Sequence, residues 1–259
     1  MPATFPSHTA AVVPLWLRWP RRFDLVALVV GSTTPDLAYV VPGLHRLLRT
    51  HEPVGLLWWC LPAGIVTTLL VRWSLAGVTA HLPRFGALAL RDYGVLGRVR
   101  PRWSITVTSV LVGAVSHLTW DSFVHDDMIG ARLFPVLLQP GPLAGQPWWQ
   151  LLHYVSTAVG LAGVVALMVH IGRQGVLRRL HGEAPAVPVR LRLFWAVTVA
   201  VLVPGFAATL YWWSDPTGTI VRWLVLVALA PMAGALAVRL TARESDPGHT
   251  GDAGERIRR

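Results

Sequence analysis

The sequence has no lysine, one cysteine and few charged residues. Its 23 basic residues are all arginine, and 14% of the 259 residues are charged, whereas soluble domains carry about 25%. Because Cys60 is the single cysteine, an intramolecular disulfide and a metal site built from thiolates are excluded; it lies within an apolar run. No basic stretch precedes the first apolar run, so we expect no cleavable signal peptide. The low charge favours a membrane protein over a soluble domain.

Long apolar runs take up most of the chain. Hydrophobic residues make up 53% of it, and the mean hydropathy is +0.50. Five runs approach the roughly 20 residues that a bilayer-crossing helix needs: 54–76, 104–124, 150–172, 193–213 and 219–240, preceded by shorter runs at 9–17 and 25–42. We therefore expect an all-α, polytopic membrane helical bundle of six to seven helical segments. Residues 1–240 would form one membrane-embedded domain, and 241–259 a disordered cytoplasmic tail.

Arginine is concentrated in alternate loops. The arginine-rich stretches are 18–22, 72–102, 173–192 and 239–259, and the loops between them hold only Arg46, Arg49, Arg132 and Arg222. Cytoplasmic loops of membrane proteins are basic, so this alternation predicts a multi-pass protein in contact with membrane lipids, with a cytoplasmic C-terminus. A nucleic-acid-binding protein would gather arginines and exposed aromatic residues on one surface, so we expect no nucleic-acid partner.

The first apolar segment leaves two topologies open. Residues 8–19 give about 18 Å of helix, which is less than the roughly 30 Å hydrocarbon core. The segment either crosses, with its arginines reaching the interface, or forms a shallow re-entrant hairpin with 24–42. In the second case six spans remain and the N-terminus lies inside. The loop 125–149 is expected to be structured but irregular.

Ionisable residues close the apolar run 104–124, in the stretch SHLTWDSFVHDD. His117, Asp121 and His125 are spaced i, i+4 and i+8, so they share one helix face if the helix extends that far. Gly113 lies one turn earlier on that face and would let another helix approach. Imidazole and carboxylate on one face are ligands that zinc or another divalent metal prefers.

Other ionisable residues interrupt apolar sequence at the same predicted depth. They are His8, Asp36, His51, Glu52 and His153, and the arginine pattern places all of them toward the outer side. Each alone could be a turn, loop or interface residue, and an isolated HxxxD pair is more often hydrogen-bonded than metal-binding. Together they favour a metal cluster, because ionisable groups in membrane segments are expensive and usually functional.

Several motifs resemble an uncharacterised bacterial membrane family, domain of unknown function 4184. They are TFPSHTAAVVPL at 4–15, VVGSTTPDLAY at 29–39, HEPVGLLWWCLP at 51–62, GAVSHLTWDSFVH at 113–125 and HYVSTAVGL at 153–161. The likeness extends to about residue 240 and implies a multi-pass protein of the bacterial inner membrane. Glu52 departs from the family pattern, which has serine after the histidine, so any role for residue 52 is in doubt.

The order of histidines and aspartates is also similar, more distantly, to membrane-bound metal-dependent hydrolases and to zinc-dependent phospholipase C. That resemblance implies a divalent-metal cofactor, zinc above all, held by the following residues: His8, Asp36, His51, His117, Asp121, His125 and His153. The phospholipases also use an N-terminal amine and an HxxxE helix. Neither is evident here, since His153 is followed by Thr157, so the site could hold fewer metals.

The leading hypothesis is a metal-dependent hydrolase in the membrane that acts on phosphoester or lipid substrates at the outer face. One or two zinc ions would acidify water and polarise a phosphoryl oxygen. Asp36 or Asp121 would bridge metals or orient the water, and Arg46, Arg49 or Arg132 would hold the phosphate. The alternative is a non-catalytic membrane protein whose His/Asp cluster is structural or metal-stabilised. A transporter is disfavoured, because the inner halves of the later segments carry almost no polar residues.

Overall fold

The computed structural model describes residues 7–210 and 216–244, and it contains helices but no β-strand within those ranges. The α-helices are α1 (Thr9–Arg18), α2 (Leu25–Gly31), α3 (Thr34–Leu37), α4 (Leu44–Leu47), α5 (Pro53–Gly55), α6 (Leu61–His81), α7 (Trp103–Val124), α8 (Ile129–Leu133), α9 (Trp148–Arg173), α10 (Val176–His181), α11 (Leu191–Leu210) and α12 (Pro216–Glu244). Short 3₁₀ helices occupy Ala38–Val40, Gly86–Leu88, Leu90–Gly97 and Pro135–Leu138. The predicted all-α class is confirmed.

All five long apolar runs form long helices. Four helices are long and apolar enough to cross a membrane: Pro53–His81, Trp148–Arg173, Leu191–Leu210 and Pro216–Arg243. The first of these joins α5 to α6 through a π-helical turn, Leu56–Cys60. The remaining run is α7, which has 22 residues but carries His117, Asp121 and several hydroxyl side chains. The end of the run 193–213 and the tail beyond residue 244 lie outside the described residues.

The sequence predicted that the segment 24–42 would form a single helix. In the structure this segment breaks after α2. The hydroxyls of Ser32, Thr33 and Thr34 each donate back to a carbonyl of Val29 or Val30, at 2.7–2.8 Å. Such local bonds compete with the helical ladder. The short helix α3 then begins at Thr34, with Pro35 in its first turn. The break turns the chain so that Asp36 lies beside the end of α7 instead of continuing outward.

Two glycines let α2 cross α7 with their backbones in contact. A Cβ on Gly113 would lie 2.4 Å from the Leu28 carbonyl oxygen, and one on Gly31 would lie 2.2 Å from that of Val110. Neither position has room for a side chain. The close approach predicted for Gly113 is therefore confirmed, and it fixes the end of α2 against the polar face of α7.

A buried ion pair joins the same helices at their other ends. Arg72 on α6 contacts the Asp24 carboxylate, and the side chains are 6% and 2% exposed. The Thr106 hydroxyl on α7 donates to Asp24 Oδ2 at 2.8 Å, and Ser109 accepts from the Asp24 amide at 2.9 Å. Breaking a buried pair of this kind strongly destabilises a protein. The contact therefore holds α2, α6 and α7 in one arrangement.

Helix α1 packs in the gap between α7 and α9. A Cβ on Gly160 of α9 would lie 2.5 Å from Ser7 Cβ, and one on Gly163 would lie 3.3 Å from Ala10 Cβ. The outward faces of α9 and α11 are apolar and exposed, as expected of helices in contact with lipid. The start of α1 is thereby placed beside the ends of α7 and α9.

Candidate metal centre

Two histidines and two aspartates form a closed ring of donor atoms at one end of the bundle. His51 Nε2 lies 3.2 Å from Asp36 Oδ1, which lies 3.5 Å from His117 Nε2. His117 Nε2 is in turn 3.2 Å from Asp121 Oδ2, and that oxygen is 3.7 Å from His51 Nε2. Nitrogen and oxygen therefore alternate around the ring, and all four donors lie within 4.8 Å of one another.

Three different elements bring these four donors together. His117 and Asp121 lie one turn apart on α7, as the i, i+4 spacing predicted. Asp36 comes from α3, and His51 from the turn before α5. That turn is held in place by Trp59, whose indole donates to the Thr34 carbonyl at 3.0 Å. The ring therefore depends on the break after α2 and on the turn that precedes the first spanning helix.

Hydrogen bonds on the outer side of the ring orient both imidazoles. His117 Nδ1 lies 2.8 Å from the Ser32 carbonyl oxygen, which can only accept, so Nδ1 carries the hydrogen. In the neutral imidazole, the lone pair of His117 is then on Nε2, the atom that belongs to the ring. His51 Nδ1 is hydrogen-bonded to the Thr50 hydroxyl at 3.0 Å. Second-sphere bonds of this kind are typical of metal-binding histidines.

The ring fits a divalent metal by its spacing and by its unsatisfied atoms. Ligands about 2.0–2.1 Å from a tetrahedral zinc lie roughly 3.3–3.5 Å apart; the four ring edges are 3.2–3.7 Å, and the two diagonals are within 4.8 Å. His117 Nε2 and Asp121 Oδ1 are buried without a hydrogen-bond partner among the described residues. Buried polar atoms are normally paired. A cation among these donors would compensate the two carboxylates and use the imidazole lone pairs.

His8 lies just outside the ring. Its imidazole stacks on His117 with ring centroids 4.0 Å apart, and its Nε2 is 3.4 Å from Asp121 Oδ1, the oxygen that the ring does not use. That nitrogen is also buried without a hydrogen-bond partner in the described part of the chain. His8 therefore approaches the same carboxylate from the opposite side to His51.

His125 and His153 do not join the four-donor ring. Helix α7 ends at Val124, so His125 has an extended backbone and leaves the face that carries His117 and Asp121. Its ring packs edge-on against His153 with centroids 5.5 Å apart. Both ring nitrogens of His153 are buried without a hydrogen-bond partner within residues 7–210 and 216–244. The two histidines form a second imidazole pair near the ring.

A polar cavity of about 780 Å³ opens beside His51. We name it the arginine cavity, and its lining includes Tyr39, Arg46, Arg49, His51, Asp127 and Arg132. The three arginines expected to hold phosphate thus meet in one space. Glu52 also lines it but binds Arg49 instead of joining the ring. That pair holds the pKa of the Glu52 carboxyl below its usual value.

Sequence reasoning missed the residues that orient the ring. Ser32 orients His117 only through its backbone carbonyl oxygen, and no pattern of side chains in the sequence predicts such a hydrogen bond. Thr50 is adjacent to His51 in the sequence and could have been suspected from that position. Tyr39, whose ring centroid is 5.7 Å from that of His51, lies in the 3₁₀ helix that follows α3.

Fold and site together define a membrane-type helical protein with a buried His/Asp cluster that could bind metal. The chain belongs to the family described as Domain of unknown function (DUF4184), which it matches over residues 1–242. No curated protein and no solved structure matches it. The more distant likeness to metal-dependent hydrolases and phospholipase C gains no support from these comparisons and stays a prediction.

Proposed function

We propose that the protein is a metal-dependent hydrolase of phosphoesters. The observation that carries the proposal is the closed ring of alternating donors from Asp36, His51, His117 and Asp121. A divalent metal, zinc by preference, would supply a Lewis acid that polarises a phosphoryl oxygen and acidifies a nearby water. The rest of the chemistry falls to side chains around the ring.

Asp121 is the best placed general base. Its Oδ2 belongs to the ring, while Oδ1 faces His8 Nε2 at 3.4 Å. Oδ1 and His8 Nε2 together would orient a water and receive its proton, because Oδ1 takes no part in the ring and neither atom has a hydrogen-bond partner among the described residues. Asp36 Oδ1 contacts both ring histidines and so serves mainly to hold the ion.

The remaining predicted ligands would serve a second ion. His8 faces Asp121 Oδ1, and His153 packs against His125; His8 and His153 offer buried nitrogens that lack hydrogen-bond partners among the described residues. Asp121 would then help to hold both ions, and in that case Asp121 and His8 would serve as ligands instead of as the base. Two-metal sites of this type stabilise both the attacking and the leaving oxygen of a phosphoester.

A metal-stabilised, non-catalytic role is the second candidate. Its support is the burial of the ring, where His117 is 0% exposed and Asp121 3%. Structural metal sites are typically closed, whereas catalytic sites keep an open position. The position of His51 favours catalysis, because its side chain is partly exposed and lines the arginine cavity.

Zinc content of the purified protein tests the metal site. We expect wild type in detergent to hold at least one zinc and His117→Ala to hold almost none, measured by elemental analysis. His170→Ala is the matched control, since His170 is exposed near the far end of α9. Equal, near-zero zinc in all three proteins would end the hydrolase proposal.

Turnover separates the two candidates. The zinc-loaded wild type should hydrolyse bis-p-nitrophenyl phosphate, and Asp121→Asn should lose that activity. Asp126→Asn makes the same chemical change at an exposed residue just past the end of α7 and should keep it. Zinc binding without turnover of any phosphodiester, phosphomonoester or amide would favour the non-catalytic role.

A further inference from the structure

A second cavity reaches the metal centre from the lipid side of the bundle. It has a volume of about 550 Å³ and lies between α1, α7 and α9. We name it the lateral groove, and its lining includes His8, Ser116, Thr119, Val155, Ser156 and Val159. Val155 and Val159 are 60% and 65% exposed. They belong to α9, a helix suited to crossing a membrane, so hydrocarbon chains would cover them.

The groove is lined by apolar side chains together with His8 and several hydroxyl residues. The Trp120 indole of α7 donates to the Ser156 hydroxyl of α9 at 3.2 Å, which ties its two sides together. Hydroxyl side chains at Ser116 and Thr119 lie on the α7 wall. A mostly apolar groove that also offers a few hydroxyl groups suits an acyl chain together with its ester linkage.

The arginine cavity reaches the same centre from the other side. Arg46, Arg49 and Arg132 are three of the four arginines outside the basic stretches, and the fold gathers them in one cavity. Arg49 is paired with Glu52, and Arg46 and Arg132 are the other two arginines of the cavity, which Asp127 also lines. Arginine binds phosphate well because its planar guanidinium donates two parallel hydrogen bonds.

The two cavities converge on one carboxylate. The lateral groove ends at His8, which faces Asp121 Oδ1, and the arginine cavity ends at His51, which faces Asp121 Oδ2. We infer that the substrate is a phospholipid that enters sideways from the bilayer, with an acyl chain in the lateral groove and its phosphate toward the arginine cavity. This substrate class rests on the proposed hydrolase.

Photolabelling tests the groove without requiring turnover. The full chain is placed in phosphatidylcholine vesicles with a trace of phosphatidylglycerol that carries a diazirine at the end of one acyl chain. Adducts should concentrate on residues 148–160, about tenfold above those on α11. Helix α11 is the internal reference, since its Val199 and Val203 are 51% and 63% exposed. Labelling that simply follows exposed apolar area would overturn the inference.

A matched pair of tryptophan variants tests the same point. Val159→Trp fills the lateral groove and should reduce labelling of 148–160 about tenfold. Val165→Trp is the control, because Val165 is 56% exposed on the same helix and lines none of the cavities described here. Zinc content of both variants should equal that of wild type. Unchanged labelling in Val159→Trp with normal zinc would contradict the groove.

A further comparison tests whether the arginine cavity binds the phosphate of the lipid. The double variant Arg46→Gln and Arg132→Gln should abolish the preference for the phosphatidylglycerol probe over a diacylglycerol with the same diazirine chain. The control is Arg84→Gln with Arg91→Gln, two exposed arginines in the loop at the opposite end of α6 and α7. If the double variant keeps the preference, the arginine cavity does not bind the phosphate. Absence of zinc, by contrast, would count against the hydrolase and not against the groove.

Discussion

Asp121 connects most of the chemistry at this site. Its Oδ2 contacts His51 and His117, while its Oδ1 faces His8. Asp36 lies across the ring, so two carboxylates share a space less than 4.8 Å wide. Like charges at such a distance repel strongly when buried. A cation between them removes that repulsion, which is why the bare ring should be the less stable state.

Removing the metal should therefore lower thermal stability. A ligand that binds only the folded state stabilises it by about 4 kcal/mol when present at a thousand times its Kd. We expect zinc to raise the apparent Tm of protein stripped with dipicolinic acid, measured by thermal unfolding in detergent. The chelator should have no effect on His117→Ala. If zinc raised the Tm of His117→Ala as much as that of wild type, zinc would be acting at another site.

The sequence alone predicted the long helices but not the break after α2. The apolar runs predicted the five long helices, and the i, i+4 spacing predicted that His117 and Asp121 share a face. The break after α2 was not predicted, because the run 25–42 is apolar and the hydroxyls of Ser32 to Thr34 act through local backbone bonds.

Loop positions were harder to predict than helix faces. His8 and His51 could be assigned to one side of the membrane, but their distance from Asp121 depends on how the turns fold. The spacing predicted that His125 lies on the α7 face if the helix extends to residue 125. It leaves that face because the helix stops one residue earlier.

The α2–α7 crossing links backbone packing to the metal centre. Gly113→Ala should destabilise the protein by about 1–3 kcal/mol, the usual range for overpacking, because the new Cβ would lie 2.4 Å from the Leu28 carbonyl oxygen and 2.6 Å from the Ser32 amide. Zinc affinity should fall as well, since Ser32 orients His117 and loss of a second-sphere bond typically weakens metal binding about 10–100-fold.

The control for this substitution is Gly163→Ala. A Cβ there meets only Ala10 Cβ, at 3.3 Å, and alanine favours helix formation more than glycine does. Thermal unfolding and zinc titration should separate the two variants. Full zinc affinity in Gly113→Ala would show that the crossing does not position His117.

Across the bundle, the His/Asp ring and the most basic loop occupy opposite ends. Helix α6 begins after His51 and leads into residues 82–102, which carry five arginines. Helix α7 starts beyond that loop and ends beside Asp121. If basic loops are cytoplasmic, the site opens on the outer side and the C-terminus is inside. The lipid that we infer as substrate would then come from the outer leaflet.

Cysteine labelling in cells can decide this orientation, because the only native cysteine, Cys60, is fully buried. Asp127→Cys and Arg91→Cys each place one thiol at an exposed position at opposite ends of α7. A membrane-impermeant maleimide should label Asp127→Cys in intact cells and Arg91→Cys only after permeabilisation, while wild type stays unlabelled. The reverse pattern would put the His/Asp ring on the cytoplasmic side. That result would also contradict the topology that the arginine distribution predicts.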